Sequence, residues 1–189
     1  MKEIFGEILD SQRAEDLESL FLTFSPGLLP LQQRWRNNGL SADFLADYVT
    51  TFFPKDENDP GSAERQSSVK GTVSYIANEL LENAMKYGDG RVCPITIRLT
   101  LRPECIVFDE INGTDGRGAE SYRAFVREFT ASDPAEAYFR RLEQVSVSGE
   151  TSGLGLITMA NDYAAVLGWC FEDAGEDAVV VRTQARVAI

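Results

Sequence analysis

The chain contains no histidine. That absence removes the Ser-His-Asp triad, the Cys-His nucleophile pair, the histidine-ligated metal centre and the phospho-accepting histidine together. Proton transfer near neutral pH therefore falls to a carboxylate, a lysine, a tyrosine or water. Cysteine is scarce as well: Cys93, Cys105 and Cys170 are widely spaced and form no C-x-x-C pair. Three such residues read as reduced, buried thiols rather than as a disulfide framework or a zinc site. Positive charge is in deficit, with 18 Lys and Arg against 30 Asp and Glu for a formal net charge of −12 and no basic run. A surface this acidic argues against a nucleic-acid or anionic-membrane partner. No segment approaches the roughly 20 apolar residues that span a bilayer, and the start MKEIFGEILD lacks the apolar centre of a signal peptide, so a cytoplasmic protein is expected. A P-loop is excluded, because no G-x-x-x-x-G-K-[ST] occurs.

What is present suffices for one compact domain: 189 residues, 43% hydrophobic, are long enough to bury a core without disulfides or metal. Residues 1–54 read as mainly helical, broken at Ser25-Pro26-Gly27 and Asn37-Asn38-Gly39, with Phe44, Leu45, Tyr48, Val49 and Phe52 at helical spacing after Ser41. Residues 55–68 read as an exposed polar loop, and 69–189 as the core. After Gly88 the period changes to two. Ile95, Ile97, Leu99 and Leu101 alternate with Thr96, Arg98, Thr100 and Arg102, and Pro103-Glu104 turns the chain into the apolar run Cys105 to Phe108, an antiparallel hairpin. Tyr122, Phe125, Val126 and Phe129 return to helical spacing, and Asp133-Pro134 with Glu136 marks a further helix start. Val145 to Ser152 is small and polar enough to serve as a mobile cover. Leu156, Ala160, Tyr163, Ala164 and Leu167 continue an apolar face to a capping Gly168, and Trp169 to Glu172 with Ala178 to Val187 close the chain as two strands. Strands grouped in hairpins favour an α+β, two-layer α/β sandwich, its mixed, mostly antiparallel sheet covered by helices on one face.

Two segments carry chemistry. In Ser74 to Tyr87, taking about 100° per residue, Val73, Ile76, Ala77, Leu80, Leu81 and Ala84 form one stripe. Glu79, Asn83 and Lys86 line its flank, so a general base and a neutral oxygen ligand share one rim. Further along, Thr151-Ser152-Gly153-Leu154-Gly155-Leu156 opens another apolar-periodic segment. Glycines at a helix start let backbone N–H groups approach a phosphate chain, and the positive end of the helix dipole favours the anion. An acidic rim and a glycine-opened helix together suggest Mg2+ and ATP. A dinucleotide fingerprint over the same glycines fails at its third position, where Thr158 stands, and lacks a preceding buried strand.

In these two segments the chain resembles the GHKL superfamily of ATPases, a group that includes gyrase B, sensor histidine kinases, mismatch-repair ATPases and bacterial anti-sigma serine kinases. Glu79-Leu80-Leu81-Glu82-Asn83-Ala84-Met85-Lys86-Tyr87 looks like the N-box, and Ser152-Gly153-Leu154-Gly155-Leu156 like the second glycine box. The intervening D-x-G-x-G is altered: aligned on the glycines, Asn112 takes the aspartate's place, with Asp109 and Glu110 two or three positions earlier. An asparagine still accepts from an adenine amino group, without the charge that strengthens the bond. The run from Asp133 to Glu172 narrows the resemblance to a divergent branch with the SiaB-type serine kinases.

The resemblance implies an ATP-binding kinase domain that transfers phosphate from Mg·ATP to a serine or threonine of a STAS-domain partner, with a PP2C-type phosphatase in the same pathway. Asn83 would ligate magnesium, Glu79 would take the hydroxyl proton or orient the nucleophile, and Lys86 could neutralise phosphate charge. The backbone of Gly153, Leu154 and Gly155 would hold the phosphates, and Asn112 or Asp109 would meet the adenine. By analogy alone, a homodimer is expected. The rival reading is a non-catalytic adaptor that keeps the sandwich, using exposed aromatics such as Trp35 and Tyr48 to sequester a signalling partner.

Overall fold

The computed structural model describes residues 2–9, 16–24, 31–133, 136 and 153–189, with the side chains of 31–37 excepted. In chain order the elements are β1 (Lys2–Gly6), β2 (Glu18–Phe24), α1 (Leu31–Thr50), α2 (Ser62–Tyr87), β3 (Ile95–Leu101), β4 (Cys105–Asp115), α3 (Gly116–Thr130), α4 (Leu154–Asp162), β5 (Val166–Gly175) and β6 (Ala178–Ala188). The strands form one six-stranded sheet in the order β1-β5-β6-β4-β3-β2, and every described pairing is antiparallel. The fold is the expected α+β two-layer sandwich.

Strand parity explains the layering. Ile97, Leu99 and Leu101 of β3 share one sheet face with Ile106 and Phe108 of β4, Trp169 and Phe171 of β5, and Val181, Ala185 and Val187 of β6, and all are buried. On that face lies α2, whose predicted stripe, Val73, Ile76, Ala77, Leu80, Leu81 and Ala84, is buried throughout. Helix α1 packs along α2 through Ala42, Leu45, Ala46 and Val49. Its course is fixed by hydrogen bonds from Ser74 Oγ to Asp43 (3.0 Å) and from Gln66 Nε2 to the Phe53 carbonyl (2.9 Å). Helix α3 contributes Tyr122, Phe125, Val126 and Phe129 to the same core, as its spacing predicted. There Phe129 meets Trp169 edge-on, with ring centroids 5.4 Å apart.

Several expectations are corrected. The described part of residues 1–54 is not mainly helical as expected, because β1 and β2 form the two outer strands of the sheet and α1 is the one helix among the described residues there. The predicted loop 55–68 ends early: α2 begins at Ser62, whose hydroxyl donates to the Asp59 carbonyl at 2.7 Å. The second hairpin strand, read as the run Cys105 to Phe108, continues to Asp115 and so takes in Asn112. Helix α4 stops at Asp162, so Gly168 lies inside β5 instead of capping a helix. Val145 to Ser152 and most of the helix expected after Asp133 lie outside the described residues; at its start the Glu136 amide donates to Asp133 Oδ1 at 3.3 Å. Cys93, Cys105 and Cys170 are free, the first two half-buried and the third buried.

β1 and β2 lie on opposite edges of the sheet, and the described ends of the chain between them lie over the face away from the helices. The Leu9 amide donates to Gln184 Oε1 (2.7 Å), and Gln184 Nε2 donates back to the Leu9 carbonyl (3.1 Å). Gln184 Nε2 and Arg182 Nε both donate to Asp109 Oδ1, each at 2.8 Å. Near the other edge Arg102 Nε donates to Asp16 at 2.7 Å. Gln184, Asp109 and Arg102 are buried, so these polar groups are satisfied by one another and by main chain, as burial requires. Removing one member of a buried ion pair strands its partner. Arg182 keeps some solvent exposure and its bond to the Leu9 carbonyl, so Asp109→Ala is expected to lower stability in urea unfolding by roughly 1–3 kcal/mol; a loss near zero would show the network to be ornamental.

Candidate functional site

The geometry centres on α2 and the start of α4. Glu79 is half-buried on the flank of α2 that faces α4. Gly153 takes a left-handed conformation, φ 84°, immediately before α4, and no side chain among the described residues caps the helix. A glycine adopts this backbone without steric cost, and the uncapped first turn leaves N–H groups without intrahelical partners. Gly155 explains the close approach of the two helices. A Cβ there would overlap the Glu79 carboxylate and lie 2.7 Å from its Cδ, so a side chain at this position would push the Glu79 carboxylate aside.

Two tyrosines brace the same junction. The rings of Tyr75 and Tyr163 stack at 4.8 Å with an interplanar angle of 16°, and the Tyr75 hydroxyl bonds to Thr158 of α4. Burial raises the Tyr75 pKa, holding the phenol neutral. Burial also raises the Glu79 carboxyl above its ordinary value, with the charge of Glu82 adding to the effect. A carboxylate shifted in this direction is a better proton acceptor.

The other expected residues divide. Asn83 lies one turn beyond Glu79 on α2, half-buried. Lys86 is exposed near the end of α2, with its ammonium 5.1 Å from the centre of the Tyr87 ring. Leu154 is half-buried as the first residue of α4. Asn112 is buried on the helix-covered face of β4, and its amide nitrogen lies 3.2 Å from where a Cβ on Gly88 would stand, just past the end of α2. Asp109 is not part of this constellation. It points to the opposite face and is held by Arg182 and Gln184, which corrects its expected role at the adenine.

The carboxylate on the helix side is instead the neighbouring Glu110, which shares its face with Asn112 by strand parity. It is 2% exposed, its Oε1 has no hydrogen-bond partner among the described residues, and burial holds its pKa well above the carboxylate range, a shift that its bond to Thr183 opposes. Beside it Tyr122 OH lies 3.4 Å from Thr183 Oγ1 and accepts from Trp169 Nε1 at 2.8 Å. Sequence reasoning passed over Tyr75, Thr158 and Tyr163. The signal available was Tyr75 four residues before Glu79, on the same helical flank.

No protein-family model and no curated protein sequence matches the chain. Among solved structures, it is similar to a chain in the crystal structure of the SiaB-SiaC complex from Pseudomonas aeruginosa. The TM-score is 0.62 at 15% identity, over 92% of this chain and 91% of that one. The likeness is one of fold. No helix among the described residues is long and apolar enough to cross a membrane.

The raised Glu79 pKa has a consequence for stability. Folding disfavours the ionised form of this group, so its penalty is absent below the ordinary carboxylate pKa and grows as pH rises toward the folded value. Glu79→Gln should therefore unfold at higher urea concentration than the parent near pH 7, and the advantage should vanish near pH 4. A variant less stable than the parent at neutral pH would contradict this reading.

Proposed function

We propose that the protein is an ATP-binding signalling regulator of the anti-sigma or SiaB-like kind, which transfers the γ-phosphoryl group of Mg·ATP to a serine or threonine hydroxyl of a small protein partner. The observation that carries this reading is the meeting of Glu79 with the glycine-opened start of α4, two pieces of chain far apart in sequence. In the proposed step the partner's hydroxyl oxygen bonds to the γ-phosphorus as the bond to the ADP oxygen breaks, and Glu79 takes the hydroxyl proton. The main-chain amides after Gly153 receive phosphate oxygens at the positive end of α4, and Lys86 lies at the outer end of the rim to balance their charge. Asn112 and Glu110 face the region beyond Gly88, where the base would lie.

Magnesium, when bound, would neutralise phosphate charge as the bond to ADP breaks. No group of three His, Cys, Asp or Glu that could hold a metal occurs among the described residues. Asn83 would be the side-chain ligand, as the resemblance implies, with the phosphates supplying others, which suits an ion that is seldom caged by protein alone. A STAS-domain protein is the proposed partner class, and a PP2C-type phosphatase the proposed reversing enzyme. Support for a protein partner comes from the neighbour of like fold, which is itself in a two-protein complex.

One observation favours the rival adaptor. The Glu79 carboxylate already rests against Gly155, so nucleotide entry must move one of the two, whereas a binding module that only sequesters its partner needs no such opening.

A ligand that binds only the folded state raises the melting temperature. Millimolar Mg·ATP should raise it by several degrees, and Asn83→Ala should abolish the magnesium-dependent part of the rise. No shift with either Mg·ATP or Mg·ADP would favour the adaptor.

A further inference from the structure

A helix-breaking run, Asn37-Asn38-Gly39, lies inside α1, and the helix passes through it unbroken. Gly39 is there for neither of the usual reasons. Its φ is not positive, and a Cβ on it would meet no described atom within 4 Å. A glycine in a helix interior is less stable than alanine because it gives up more backbone freedom. Neither turn geometry nor close packing offsets that loss here.

Asn38 adds a second weakness at the same place. It is 1% exposed, and neither its Oδ1 nor its Nδ2 has a hydrogen-bond partner among the described residues. A buried amide in this state has lost its hydration and gained nothing in return, an arrangement that calls for a reason in any native structure. Water is the partner that an opened helix would supply.

The rest of α1 is held more firmly. Ala42, Leu45, Ala46 and Val49 are buried, and from Asp43 onward polar contacts tie the helix to α2. Ser74 Oγ donates to Asp43 at 3.0 Å, Lys70 pairs with Asp47 at 2.5 Å, and Gln66 Nε2 donates to the Thr50 carbonyl at 3.3 Å. Continued toward the start of α1, this antiparallel register brings Asn38 level with Glu79. The weak point therefore stands beside the rim of α2 without using any of its residues.

We propose that Asn38-Gly39 is a hinge in α1, at which the turns before it swing off α2 with their own hydrogen bonds intact while the part from Asp43 onward stays docked. Four main-chain bonds make the joint, from the amides of residues 39–42 to the carbonyls of residues 35–38. Opening breaks these four and delivers the Asn38 amide to water. The two defects act together: glycine eases the bend, and the stranded amide favours the bent state. The hinge is independent of the nucleotide proposal.

Amide hydrogen exchange of the full chain, read residue by residue, tests it. Residues 39–42 should be protected about tenfold less than residues 35–38 before the joint and residues 45–49 after it. Gly39→Ala should raise protection at 39–42 about fivefold. Asn38→Leu, which removes the unpartnered amide, should raise it by about tenfold. In both variants residues 45–49 should keep their parent protection, and circular dichroism establishes that the fold persists. Gly39→Ala alters a position with free space around it, so it keeps the test decisive if Asn38→Leu fails to fold. Protection that climbs steadily from residue 35 to residue 49 would be fraying of the helix end, and equal protection throughout would be a rigid helix. Either result, or a Gly39→Ala variant no better protected than the parent, would overturn the proposal.

Discussion

Burial of one stripe of α2 is the constraint from which the rest of the structure follows. Ile76, Leu80 and Leu81 are fully buried, and a fully buried aliphatic side chain gains roughly 1.5–3 kcal/mol over an exposed one. Once that stripe is committed to the sheet, the rotation of α2 is set. Glu79 and Asn83 are then carried to a definite flank, the one that α4 approaches. The position of the rim is thus a by-product of packing, and the chemistry proposed for it rests on hydrophobic contacts elsewhere on the helix.

The sheet imposes a second constraint through parity. Adjacent residues of a strand face opposite ways, so Asp109 and Glu110 of β4 serve different ends. Asp109 turns to the outer face, where with Arg182 and Gln184 it receives the main chain at Leu9. Glu110 turns inward beside Thr183. Residues buried on both faces of β4 mark it as a central strand, covered by helices on one side and by polar contacts to the amino-terminal segment on the other.

Much of this was legible in the sequence, and what was missed has physical reasons. The β3–β4 hairpin was readable because its partners are close in sequence and its alternation strict. The stripe of α2 and the aromatic face of α3 were readable from helical period. The outer strands were not. In β2, Phe21 places a large apolar side chain on the outer face and breaks the alternation that Leu20, Leu22 and Phe24 would otherwise display. In β1, five residues are too few for a period to emerge, and its pairing partner β5 lies at the far end of the chain. Both strands owe their form to long-range pairing, which local propensity does not record. Asp109 is a case of another kind: it and Glu110 stood together as alternatives two or three positions before Asn112, and in a strand one residue is the difference between the two faces.

The central claim is that α2 and the start of α4 form a single phosphate-binding junction, and amide hydrogen exchange with and without Mg·ATP tests it most directly. The account predicts slowed exchange in two segments together, residues 79–88 and residues 153–157, with little change at β1 and β2. Exchange that is unaltered by nucleotide, or slowed in only one of the two segments, would contradict it.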